Sequence, residues 1–135
     1  PEKIDVIYWG IDSRYFSVTS DKEEIEVRKL YNLPKKYVLY VGDVNYNKNL
    51  PILIEACRII DIPLVIVGKQ AINLDELVES WKIMKGPKDY LRSLLGKPHP
   101  ELAHFKNLKS AIMKNKVITT GYVQTEDLVK IFRFD

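Results

Sequence analysis

Apolar and polar residues change their period along this chain, and the changes divide it into short strands and amphipathic helices. KYVLYVG, residues 36–42, is a nearly continuous apolar run of strand length closed by Gly42, the pattern of a strand buried on both faces of a parallel sheet. NLPILIEACRII, 49–60, spaces Leu50, Leu53, Ile54, Cys57 and Ile60 as one helical face. Asn49 stands there as cap and Pro51 sits in the first turn, where a missing N–H costs nothing. Asp61-Ile62-Pro63 turns the chain into LVIVG, 64–68, a second buried strand with its own terminal glycine. PELAHFKNLKSAIM, 100–113, predicts another amphipathic helix, and KVITTGYV, 116–123, a third strand ending near Gly121. Thr125 caps a last helix, TEDLVKIFRF, with acids at its positive end and Lys130 and Arg133 at its negative end.

The flanks are less regular. KIDVIYW, 3–9, is β-branched and aromatic and predicts a strand, and Asp12 and Ser13 cap a single turn through Phe16. SDKEEIEVRKLY, 20–31, starts with a capping residue and acids, ends with Arg28 and Lys29, and predicts a helix with Ile25 and Leu30 inward. Residues 69–99 hold Gly86-Pro87, Gly96, Pro98 and Pro100 around two helical stretches, LDELVESWKIM and KDYLRSLL. Turn residues at that density predict an inserted lid or surface excursion. The whole is an α/β chain with β-α-β units and an open parallel sheet.

In such sheets ligands sit beyond the carboxyl ends of the strands. Gly42 lets backbone approach a ligand closely, and a helix starting near Asn49 aims amide groups and its positive dipole end at the same crevice. Lys48 adds a full charge, so the segment GDVNYNKN describes an anion site suited to phosphate or diphosphate. A plainer reading stays open, because a lysine before a helix and a glycine closing a strand are both commonplace. Neither G-x-x-x-x-G-K-[ST] nor G-x-G-x-x-G is present. Asn45, Asn47 and Asn49 serve as hydrogen-bonding or turn residues.

Composition narrows the function classes. The 135 residues are 46% hydrophobic and 29% charged, an ordinary globular composition, and a net charge of +3 from 21 basic and 18 acidic side chains is too mild to imply wrapping of nucleic acid. Cys57, the single cysteine, forms no internal disulfide and fits a buried position in a reducing compartment. No run reaches the ~20 apolar residues of a membrane span, no signal peptide is recognisable, and a cytoplasmic location is expected. His99 and His104 lack metal-ligand spacing, so no metal is expected. Trp9 and Trp81 are read as packing anchors, and Lys69 as a solvated charge beside Gly68.

Three stretches together, YVLYVGDVNYNKNLPILIEA, IPLVIVGKQ and VITTGYVQTEDLVKIF, resemble the retaining nucleotide-sugar glycosyltransferases of family four. The resemblance implies a Rossmann-like parallel three-layer sandwich, part of the C-terminal donor domain of the GT-B architecture. YWGIDSRYF is similar to the family's crossover between domains, which divides the chain into 1–16, the last strand and crossover of the first domain, and 17–135, the first half of the donor domain. By position Gly42 closes the first donor-domain strand and Lys48 neutralises the donor diphosphate. Asp43 stands where many members carry arginine, so it contacts the sugar or a nearby loop, or pairs with Lys48 and weakens the site. Asn49 begins the helix behind it, and the backbone of Gly121, Tyr122 and Val123 recognises the nucleotide base.

No catalytic residue is assigned. The family's glutamate pair in an E-G-F-G loop has no counterpart, and the chain is expected to be a fragment, inactive alone. The resemblance implies a nucleotide-diphosphate sugar as substrate, no cofactor, and a sugar, glycan or lipid acceptor. It leaves room for peripheral membrane association of the full-length enzyme and for self-association through an exposed sheet edge. The alternative, motivated by Asp43, is a non-catalytic nucleotide-binding or regulatory α/β module. A flavodoxin-like domain is disfavoured by the delay from Gly42 to Lys48.

Overall fold

A computed structural model describes residues 3, 5–6, 8–16, 20–82, 86–97 and 99–133. Its frame is a three-stranded parallel sheet in the order β1-β2-β3, with β1 at Val38–Val41, β2 at Leu64–Val67 and β3 at Val117–Gly121. The three strands fall where the apolar runs predict. β2 lies between the others and all four of its residues are buried. β1 is an edge strand of three half-buried residues and an exposed Val41, not a strand enclosed on both faces. The ladder is in register from Val38 opposite Leu64 to Val41 opposite Val67. Between β2 and β3 the register slips, Ile66 facing Thr119 and Val67 facing Gly121, so Thr120 bulges. A bulge re-aims the residues at a strand's end.

The period of two in β2 sorts the core into two layers. Leu64 and Ile66 join Val44, Leu50, Ile54, Cys57, Phe105 and Leu108 on one face. Val65 and Val67 join Val27, Leu33, Val123 and Ile131 on the other. The first face is covered by α2 (Leu50–Ile59), α3 (Lys69–Ile72), α4 (Leu74–Lys82) and α6 (Pro100–Lys114), the second by α1 (Asp21–Leu30) and α7 (Thr125–Ile131). α5 (Pro87–Leu94) links α4 to α6. The architecture is thus the Rossmann-like α/β sandwich expected.

α1 forms because Ser20 and Glu23 close a capping box: Glu23 N–H donates to Ser20 Oγ at 3.4 Å and Ser20 N–H to Glu23 Oε2 at 3.1 Å. These bonds, and Lys130 beside them, pull the Glu23 carboxyl down to about 2. The helix buries Val27, whereas Ile25 and Leu30, expected inward, are exposed. Tyr31, following α1, donates to Asp127 of α7 at 2.8 Å. Burial first, and that carboxylate second, push its phenol up to about 12.

Other expectations shift. Leu74 and Val78 of α4 are buried members of the first core layer, so the start of 69–99 is part of the domain body and not a lid. An apolar stripe at helical spacing found a neighbour in α6, which the turn residues around it concealed. Gln124, not Thr125, occupies the N-cap of α7. Ile60 is exposed past the end of α2, and Trp9 is fully exposed and no packing anchor. The side chain of Trp81 lies outside the described residues. So do Ile4 and Ile7, and the described residues among 3–9 join no strand. The 3-10 turn Ser13–Phe16 does form, with Arg14 N–H donating to Asp12 Oδ1 at 2.9 Å. Bonds from Arg14 lower the Asp12 carboxyl to about 2. Arg14 also reaches Glu126 at 3.3 Å, and Tyr15 meets Phe132 edge-on at 6.0 Å, seating this turn against α7. Among the described residues no helix is long and apolar enough to cross a membrane.

Candidate functional site

The carboxyl ends of the strands meet through glycine backbone. Gly42 N–H donates to the Val67 carbonyl at 3.0 Å, and Gly68 N–H donates to the Gly121 carbonyl at 3.0 Å. The hydrogen bonding therefore runs one step past β1 and β2 and sets Gly42 and Gly68 on one rim with Gly121, the last residue of β3. Gly42 and Gly121 have positive φ, 143° and 74°, backbone that an L-residue adopts only with strain. Gly121 also faces Ile72 of α3, whose Cδ1 would lie 3.0 Å from an added Cβ. Its small size thus has a packing cause of its own.

From this rim the β1–α2 loop departs. Asp43 is exposed, and its carbonyl accepts from Tyr40 Oη at 2.6 Å. Val44 turns inward and is completely buried. Tyr46–Lys48 form a 3-10 turn packed against α6, closed by Lys48 N–H donating to the Asn45 carbonyl at 3.0 Å. Lys48 and Asn49 are both exposed. Among the described residues neither Asp43 nor Lys48 makes an ion pair, so the pairing weighed from the sequence does not form and the ammonium is free to meet an anion.

The start of α2 is a poorer amide donor than its sequence suggests. Asn49 occupies the cap in the left-handed region, φ 50° and ψ 40°, and its side chain makes no capping bond. Its carbonyl instead accepts from Ile52 N–H at 3.1 Å and Leu53 N–H at 3.5 Å, while Pro51 has no N–H. Of the first four helical positions only Leu50 retains an uncommitted amide. Charge at this end of the site therefore comes from Lys48 more than from the helix dipole.

On the β3 side the sequence-predicted residues divide. Tyr122 is exposed at the rim, so it is available for stacking and is not a core aromatic. Val123 is buried against Val27 and Val67, leaving only its backbone for recognition. Lys69, at the first position of α3, is exposed. The structure brings Gly42, Asp43, Gly121 and Tyr122 to the carboxyl rim of the sheet, and it places Lys48 and Asn49 five and six residues past Asp43 along the loop.

Two residues of the site escaped sequence reasoning. Gln70 Oε1 accepts from Val44 N–H at 3.0 Å, and His104 Nε2 lies 2.8 Å from the Val44 carbonyl. The one available signal was Val44 itself, a lone apolar residue in a polar loop, whose burial obliges its backbone to find partners. Cys57, as expected, is buried, and burial raises its thiol pKa. Among the described residues no three His, Cys, Asp or Glu side chains gather as metal ligands would.

A family model described as "Glycosyl transferases group 1" matches residues 21–133. No curated protein and no solved structure matches the chain.

Proposed function

The chain belongs to the group 1 glycosyl transferases, and from that premise we propose that its glycine-lined rim holds the nucleotide-diphosphate sugar donor of a retaining, GT-B transferase. Gly42 and Lys48 take the diphosphate, and the backbone of Gly121, Tyr122 and Val123 reads the base. The observation that carries the proposal is the Lys48 ammonium, without an ion-pair partner among the described residues, on the loop leaving the rim at Gly42.

When the glycosidic bond to the donor breaks, negative charge grows on the departing diphosphate. A cation already standing at that position stabilises the transition state with little reorganisation. Holding the donor rigidly lowers the entropic share of the barrier for the incoming acceptor hydroxyl. The chain's part in the reaction is thus binding, orientation and charge neutralisation. The acceptor is a sugar, glycan or lipid.

Calorimetric titration with UDP, GDP and ADP tests the site. A charge-assisted contact contributes about 1.5–3 kcal/mol, so Lys48→Ala should weaken the tightest of the three by roughly 10–100-fold. Unchanged affinity overturns the assignment.

Asp43 and the committed amides of α2 favour a second reading, a nucleotide-binding module without transfer. The two readings separate on the diphosphate: a donor site binds nucleoside diphosphate much more tightly than nucleoside, and a module that reads only the base does not.

A further inference from the structure

Val44 is fully buried although it lies in a loop, between β1 and the 3-10 turn that ends at Lys48. A buried loop residue must pair both backbone polar groups or leave each of them desolvated and unsatisfied. Among the described residues no backbone group supplies either partner. Two side chains do so instead. The N–H donates to Gln70 Oε1 at 3.0 Å, and the carbonyl accepts from His104 Nε2 at 2.8 Å. A carbonyl only accepts, so the imidazole carries a proton on Nε2.

The two partners stand on different helices. Gln70 belongs to α3, two residues after Gly68 on the rim. His104 belongs to α6, its ring edge-on to buried Phe105 at 5.4 Å. The Val44 side chain meanwhile packs in the core layer that contains Leu50 and Ile54. The loop is therefore pinned at one residue from three directions, and Tyr40 Oη holds the preceding carbonyl, that of Asp43.

We propose that Gln70 and His104 are positioning residues for the anion-binding loop 43–48. By clamping the backbone of Val44 they set where Asp43 and Lys48 stand relative to the sheet rim, so donor affinity depends on two side chains that need not touch the donor. The proposal rests on the reading of Lys48 as the diphosphate cation. Removing either side chain leaves a polar group of Val44 stranded among apolar neighbours. The loop then regains hydrogen bonds only by lifting Val44 toward water, and Lys48 moves with it.

The test combines amide hydrogen exchange on the free chain with titration by UDP, GDP and ADP. Gln70→Met and His104→Leu should each speed exchange across 44–48 by about ten-fold or more, with β2 unaffected, and weaken the tightest nucleotide by about ten-fold. His104→Gln restores an N–H donor and should recover both. Unchanged exchange at 44–48, or an equal rise in 44–48 and β2, overturns the proposal, since the second outcome marks general destabilisation. Lys48→Ala, measured alongside, separates the two failures. If it weakens binding and the clamp variants do not, the positioning proposal falls and the Lys48 reading stands. If it leaves binding unchanged, that reading falls and takes the functional half of the proposal with it.

Discussion

Gly68 and Gly42 touch backbone to backbone: a Cβ placed on Gly68 would overlap the Gly42 carbonyl oxygen. Gly68 has extended φ, 164°, so its requirement is one of space and not of conformation. The obstructing atom is main chain, which cannot rotate aside. Gly68→Ala should therefore prise the rim apart at some cost in packing, about 2 kcal/mol. In thermal unfolding that appears as a fall of roughly 5–10 °C. Gly10→Ala, where nothing lies within 4 Å of the added Cβ, is the control and should leave the midpoint unmoved. Equal midpoints for the two variants would remove the close approach from the account of the rim.

Among the described residues Asp43 is the acid that directly follows a rim glycine of the proposed diphosphate site, and it is exposed. Reversing a charge beside a bound anion is worth on the order of 1 kcal/mol at an effective dielectric between protein and water. Asp43→Arg should thus tighten nucleoside diphosphate binding about five- to ten-fold and steepen its salt dependence. Asp43→Asn should give a smaller gain. Weaker binding by both variants would mean that Asp43 makes a favourable contact with the ligand.

The capping box of α1 gives a pH signature. Glu23 has its pKa lowered from 4.5 to about 2, by Ser20 first and Lys130 second. The folded state thus holds the carboxylate more readily than the unfolded one, so its contribution to stability is complete above about pH 4.5. It fades as pH falls toward about 2. The side chain is exposed and screened, so the effect is modest. Thermal midpoints of the parent should fall more steeply than those of Glu23→Gln between those two pH values. Parallel curves would rule out the capping box as the cause.

Leu74 separates a domain body from a lid. It is buried, in the core layer shared with Phe105 and Leu108, and Leu74→Ala should cost about 2–4 kcal/mol in denaturant unfolding. A residue on a loosely attached excursion would cost well under 1 kcal/mol. Leu91 of α5 is exposed, and Leu91→Ala provides that comparison within the same chain.

Much of the frame was legible in the residues. A β-strand alternates its faces and a helix repeats every 3.6 residues, so KYVLYVG, LVIVG and KVITTGYV announce three strands, and NLPILIEACRII and PELAHFKNLKSAIM announce the helices between them. The glycines that close the strands, and the lysine that follows the first, were visible for the same reason: local sterics and charge act over a few residues. These features placed the candidate site at the carboxyl rim.

What the chain does between distant residues was decided only by packing. Periodicity gives a helix an apolar stripe without naming its neighbour, so Val27 faces inward where Ile25 and Leu30 were expected, and α4 enters the core where a lid was expected. The contact of Gly68 with Gly42 arises from the sheet register, which exists only once β1 and β2 are paired. Gln70 and His104 reach Val44 across 26 and 60 residues of sequence. A hydrogen bond of that separation leaves no local pattern, because its cause is the burial of Val44, and burial is a property of the folded chain.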